Sequence, residues 1–151
     1  MGGIQLALQI AMTGRGVMSP NGLEGAGSTD RRALTEAISA AMVELYAAYY
    51  AHDRTTATTY INDNIVVCVL ENILSDSEGV LVADGAPGEV IDGRVAFQTE
   101  TEDEFTAAIE RLTHRHVVAF LSANQTTPGV ASELFFLDAT PLVACGEDGA
   151  R

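Results

Sequence analysis

His114-Arg115-His116 sets two imidazoles at alternate positions, and alternate residues of a strand share a face, so the pair could grip a metal ion. No third ligand follows by spacing, and the motif reads instead as a junction between a helix and a strand. Just upstream, Glu100, Glu102, Asp103 and Glu104 crowd one stretch. Along a helix these carboxylates point in different directions, and no His or Cys completes a ligand set, so a solvated acidic face is expected. Ser122 near Asn124 and His116 lacks the strand-to-helix elbow of an activated nucleophile. The chain holds no G-x-S-x-G, P-loop, G-x-G-x-x-G, paired C-x-x-C or H-E-x-x-H motif. These residues point to a protein that is not an enzyme and needs neither cofactor nor metal.

Composition narrows the partners. At 151 residues the chain suits one domain with a real core. Acidic residues number 21 against 8 basic ones, every one of them Arg, for a formal net charge of −13. Such a surface repels phosphate backbones and anionic lipid, so neither nucleic-acid binding nor a polybasic membrane dock is expected. No apolar run approaches a membrane span, and direct insertion is not expected. Ile4–Met12 is apolar but short, broken by Gln5 and Gln9 and without a positive region ahead of it, which makes a poor signal peptide. Cys68 falls inside an apolar run and Cys145 in a Gly- and acid-rich tail; both are expected to be reduced.

The elements that must position these residues follow in order. Residues 1–30 read as a flexible leader and linker, with Met18 an alternative start. Thr29 or Asp30 caps a helix to about Ala51, striped by Leu34, Ile38, Ala41, Met42, Leu45 and Tyr49, with Tyr46 and Tyr50 on its flanks. A β-rich segment then reaches Asn62-Asp63-Asn64, residue types that accept a left-handed backbone, and continues as the apolar run Ile65–Leu70: a hairpin. That run does not alternate, so it should be a central strand covered on both faces, with the similar run Val117–Leu121 near it and likewise central. Ser75 and Glu78 have the spacing of a capping box for a short helix ending near Gly85. Pro87 suits the first turn of further helix, and Phe105, Ala108, Ile109 and Leu112 mark a clear apolar face to Thr113. Whether this is two helices or one kinked element stays open. The last strand, Val130–Asp138, partly alternates, with Ala131, Glu133 and Phe135 set against Ser132, Leu134 and Phe136. Residues 139–151 read as a disordered tail.

Several short motifs, in this order, resemble one family. They are Y-A-A-Y-Y at 46–50, T-T-A-T-T-Y-I-N-D-N-I-V-V-C-V-L-E at 55–71, L-S-D-S-E at 74–78, R-V-A-F-Q at 94–98, D-E-F-T-A-A-I-E-R-L-T at 103–113, R-H-V-V-A-F-L-S at 115–122 and E-L-F-F-L at 133–137. Over Leu34–Leu137 the chain resembles the MpsC-type domain, described as part of a sodium-translocating, membrane-potential-generating system. The chain departs from the family pattern at His52-Asp53-Arg54, where a Gly-Arg-Gly step is usual. It departs again at His114, where a Gly is usual, and at Gly79, where a basic residue is common. Arg54, Arg94 and Arg115 remain as matches and form a candidate ligand site, since a guanidinium grips carboxylate, phosphate or carbonate-like anions. The site requires the three to converge within about a Debye length (~10 Å). The resemblance brings no catalytic residue with it.

The fold expected is α+β, a single domain over 31–138 in the order α-β-β-α-α-β-β, with a four-stranded, mainly antiparallel sheet. Either helices cover both faces of the apolar strands or a second copy covers one of them; a homodimer is expected. The resemblance implies a non-enzymatic cytoplasmic accessory or regulatory subunit, peripheral to the inner face of the membrane. Its partner would be a membrane protein of a cation-translocating system. The alternative is a stand-alone module that binds a small anion or nucleotide through the three arginines.

Overall fold

Seven elements follow one another in the computed structural model, which describes residues 27–141: α1 (Gly27–Tyr50), β1 (Thr56–Asn62), β2 (Ile65–Glu71), α2 (Asp76–Ala83), α3 (Pro87–Thr113), β3 (Arg115–Thr126) and β4 (Gly129–Pro141). The expected α+β order holds throughout. Most of the leader and most of the tail lie outside the described residues; of what is described, Gly27–Asp30 belong to α1 and β4 runs on to Pro141.

The strands form one antiparallel sheet in the order β1-β2-β4-β3. The hairpin turn falls at Asp63-Asn64, with Asp63 in the left-handed region at φ 52°. Ile65–Leu70 is central, as its apolar run suggests. Val117–Leu121 is not: β3 pairs only with β4 and lies at the edge. Its unbroken apolarity has another origin. Register shifts between Arg115 and Val117, and again between Val117 and Ala119, interrupt the alternation of faces. Val117 and Phe120 are buried, while Ala119 and Leu121 stay partly exposed on the other side. β4, whose sequence alternates, takes the central place.

Both long helices lie on one face of the sheet. α1 buries Ile38, Met42 and Tyr46, so the stripe is centred on Tyr46, while Tyr49 stands 49% exposed. α3 is one continuous helix through Gly88 and Gly93, and it buries Phe97, Phe105, Ala108 and Ile109. Phe105 stacks on Phe120 (6.2 Å between centroids) and Phe120 on Phe135 (4.9 Å), which carries the core from helix to edge strand to central strand. The β3–β4 turn presses against the segment after β2. A Cβ on Gly129 would sit 2.8 Å from Leu74 Cγ, so only glycine allows this approach.

Both long helices end on a left-handed residue that is not glycine. Ala51 (φ 52°) donates its N–H to Ala47 O, and His114 (φ 54°, ψ 36°) donates to Glu110 O. A side chain there costs roughly 1–2 kcal/mol of strain, against about 0.5–1 kcal/mol of extra freedom that glycine brings to the unfolded chain. Ala51→Gly and His114→Gly should therefore each raise the free energy of urea unfolding by up to about 1 kcal/mol. Gly85→Ala, at φ 82°, should lower it by a similar amount. Loss of stability in both glycine variants would show that the helix ends are not strained.

Candidate functional site

The polar residues with no place in a simple apolar core gather where α1, α3 and the segment after β2 meet. Arg94 of α3 is 1% exposed. Its Nε donates to Glu78 Oε2 at 2.9 Å and its Nη2 to Glu78 Oε1 at 2.7 Å, a two-pronged ion pair. Nη2 also donates to the Ile73 carbonyl. The guanidinium carbon lies 3.7 Å from the centre of the Tyr50 ring and 5.8 Å from that of Tyr46, so aromatic faces replace the water the cation has lost.

Glu78 has a second task. Its Oε1 accepts from Ser75 N–H at 3.0 Å while Ser75 Oγ accepts from Glu78 N–H at 3.3 Å, which completes the capping box of α2. Burial works to raise the Glu78 pKa. Hydrogen bonds from Arg94 and Ser75, with the guanidinium charge, outweigh it and hold the carboxyl below its ordinary range. A helix with no buried residue of its own is thus fastened to the core through its cap.

A second polar group crosses the sheet. The pairing register lines up Thr59, Cys68, Glu133 and Ser122 as one row over all four strands, facing the helices, and all four are buried. Ser39 of α1 meets Thr59 at 2.7 Å, Tyr46 donates to Glu133 Oε1 at 2.6 Å, and Gln98 of α3 donates to Ser122. Ser122 in turn hydrogen-bonds the Glu133 carboxyl, whose Oε2 has no hydrogen-bond partner among the described residues. Burial pushes the Glu133 pKa up to about 7, against the hydroxyl hydrogen bonds and the Arg94 charge that pull it down. Burial likewise raises the Cys68 thiol to about 11, which leaves it un-ionised and inert near neutral pH.

The three candidate arginines do not form one pocket. Arg54 is exposed and pairs with Asp76 at the start of α2. Arg94 lies inward of it, engaged through Nε and Nη2 as described, while its Nη1 has no hydrogen-bond partner among the described residues. Arg115 donates to the carbonyls of Asp138 (2.7 Å) and Asp63 (3.1 Å), at the hairpin tip. The length of β2 separates it from Arg54, roughly 20 Å at ~3.3 Å per residue. Two of the three therefore hold the fold together.

The histidines separate as well. His114 caps α3, and His116 is exposed, 3.6 Å from Glu110. No cluster of three or more His, Cys, Asp or Glu that could hold a metal occurs among the described residues. Of the acidic stretch, Glu100 accepts from Tyr49 Oη at 2.9 Å, Asp103 and Glu104 are exposed, and Glu102 is partly so. An open cleft of about 970 Å³ lies beside α2, lined by Arg54, Asp76, Gly79, Val80 and Ala83 and, across from them, by Pro128 of the β3–β4 turn.

A family model described as "Na+-translocating membrane potential-generating system (MpsC)" matches residues 30–139. The chain belongs to the MpsC family. No curated protein and no solved structure matches it. Within the family motifs, R-V-A-F-Q supplies Arg94 and Gln98, L-S-D-S-E supplies the cap, and E-L-F-F-L supplies Glu133. The motifs that carry the resemblance are thus the ones that build the buried polar groups. Glu133, Gln98 and Tyr46 escaped the sequence reading, although a signal existed: alternation sets Glu133 with Ala131 and Phe135 on the inward face.

Two outcomes test this assignment. Removing Arg94 strands Glu78 and the Ile73 carbonyl in the interior, so Arg94→Ala should cost about 3–5 kcal/mol in urea unfolding. Arg54→Ala breaks an exposed pair and should cost about 1 kcal/mol or less. Glu133 gives a pH signature. Its folded pKa lies above the 4.5 of a free Glu, so between about pH 4.5 and 7 the folded state holds a proton the unfolded state has lost. Its contribution is complete below that window and is lost as pH rises through it, on the order of 3 kcal/mol. Glu78, with its lowered pKa, works the other way and loses its contribution as pH falls. Glu133→Gln keeps an acceptor for Tyr46 and removes the ionisation. The stability of the variant relative to the parent should therefore grow from pH 5 to pH 8; a constant difference would contradict the buried-carboxyl assignment.

Proposed function

We propose that this protein is a non-enzymatic, cytoplasmic accessory or regulatory subunit of a membrane cation-translocating system, bound at the inner face of the membrane through a protein partner. Membership of the MpsC family over residues 30–139 carries the reading, since the family is described by its part in a sodium-translocating, membrane-potential-generating system. Two observations support it. No helix among the described residues is long and apolar enough to cross a membrane. The buried polar residues are spent on joining α1, α2, α3 and the sheet, and leave a firm scaffold rather than an open reaction centre.

The contact surface under this reading is the α2 cleft. α2 has a mostly apolar sequence yet buries no residue, and Val80 is 59% exposed. Apolar side chains held outward on a capped helix, with Arg54 and Asp76 beside them, suit a protein partner. The subunit acts as a homodimer.

The tagged chain, expressed at native level in its own host, should recover an ion-translocating membrane protein from detergent-solubilised membranes, identified by mass spectrometry. The double variant Arg54→Ala, Val80→Asp should fold normally and reduce that recovery at least tenfold. Arg94 is unsuitable as a probe because its loss would unfold the cleft. Recovery of no membrane protein, together with an unchanged membrane potential on deletion of the gene, would overturn the proposal.

A further inference from the structure

Among the described residues, the sheet has one face covered and one bare. Ser39–Thr59, Tyr46–Glu133 and Gln98–Ser122 all bind the same face, which places α1 and α3 together on it. On the opposite face the register aligns Tyr60, Val67, Leu134 and Leu121 in one row across all four strands. Rows on either side add Val69 and Phe136. All are partly exposed, Tyr60 by 61%, and no described helix lies over them.

Charge identifies what fits there. The three central rows hold Thr58-Val69-Ser132-Ala123, Tyr60-Val67-Leu134-Leu121 and Asn62-Ile65-Phe136-Ala119, without one charged side chain, in a chain of net charge −13. A basic partner or a cationic surface would be met best by the carboxylates this chain has in abundance, yet these three rows carry none, and Glu71 stands only in the row at their margin. Anionic lipid would be repelled by the surrounding charge. Two copies of a strongly acidic chain, by contrast, can approach closely only through an uncharged surface.

With strands ~4.8 Å apart and ~3.3 Å per residue, the whole sheet presents about 600 Å² in projection, of which the three uncharged rows make up roughly 400 Å². Doubled over two copies the uncharged rows give about 800 Å², and the rows at their margin bring the contact toward the roughly 1,200 Å² at which stable interfaces begin.

We propose that the bare face is the homodimer interface: a second copy of this chain stacks its own Tyr60–Val67–Leu134–Leu121 row on it about a two-fold axis, as a two-sheet sandwich. Helices α1 and α3 then form the outer layers, and the α2 cleft of each copy, lined in part by Glu71 and Val130 of the adjoining row, lies at the margin of the interface. The proposal rests on the homodimer reading given above and is independent of the membrane partner.

Sedimentation velocity on the full chain should give about twice the 15.9 kDa chain mass at 20 µM. Val67→Thr, Leu121→Thr, Leu134→Thr preserves strand-forming residues and should weaken the dimer at least tenfold, with an unchanged far-ultraviolet circular dichroism spectrum. Should that variant fail to fold, the unaltered chain still answers. Hydroxyl-radical labelling of Tyr60 and Phe136 should fall at least threefold between dilute and concentrated samples, with Tyr49, on the helical side, unaffected. A monomer at 100 µM overturns both the dimer and its interface. A dimer that leaves Tyr60 equally labelled, survives the triple substitution or is lost only when residues 1–26 are removed overturns the interface alone.

Discussion

The guanidinium of Arg94 is the interaction on which the rest of the arrangement depends. A cation that is 1% exposed must recover in the protein what it loses in hydration. It does so with two carboxylate oxygens of Glu78, the Ile73 carbonyl and the faces of Tyr50 and Tyr46. Each contact belongs to a different part of the chain. Tyr46 and Tyr50 end α1, Ile73 follows β2, Glu78 opens α2, and Arg94 sits in α3. One side chain therefore fixes three helices relative to the sheet. The pair is not a source of large net stability, because its desolvation cost offsets much of the attraction. What it supplies is position: apart from the Ser75 N–H, Arg94 is the donor that holds the Glu78 carboxylate.

The two buried carboxylates show how neighbours decide an identical chemical group. Glu78 faces a full positive charge at hydrogen-bonding distance and stays ionised below its usual range. Glu133 receives hydroxyls from Tyr46 and Ser122, feels Arg94 only as a more distant charge, and has a pKa near neutrality. Hydroxyls can donate to a carboxylate or accept from a carboxylic acid, so the Glu133 site tolerates both states. Its burial beneath α1 and α3 gives solvent no path to it without local opening. A group that can change charge at neutral pH is thus kept inside the scaffold, on the row that joins all four strands.

Local features were legible in the sequence because their causes are local. Asp63 at the hairpin, the Ser75–Glu78 capping box, Pro87 at the start of α3 and the Phe105–Ala108–Ile109 face all depend on residues within a turn or two of one another. Strand order was not legible. An apolar run marks burial, and β3 acquires its run from α3 on one side and from register shifts that upset alternation, not from a central position. The candidate site was misplaced for the same kind of reason. Arg54, Arg94 and Arg115 look alike as family matches, yet only long-range pairing reveals that one is exposed, one is enclosed and one holds two backbone carbonyls some 20 Å away along β2. Glu133 was hidden by its company, since an isolated acid in an alternating strand is ordinarily turned outward.

A one-sided sheet also gives the proposed pairing of a small acidic chain a physical basis. With both helices on one face, the other face keeps its apolar side chains available, while the carboxylates occupy the helices, the loops and the sheet margin. Charge keeps such copies apart in every orientation except the one that brings uncharged faces together, so the same residues that oppose aggregation select the mode of pairing. Paired in that way, the two α2 clefts would lie at the margins of a rigid centre. Under the proposed membrane partnership, two weak contacts would act as one stronger contact, because the second would form at the high local concentration set by the first. In the proposed dimer the buried Arg94–Glu78 pair would matter for docking: by pinning the capped helix α2 it would hold the two clefts at a near-constant separation, which raises the effective concentration for the second contact.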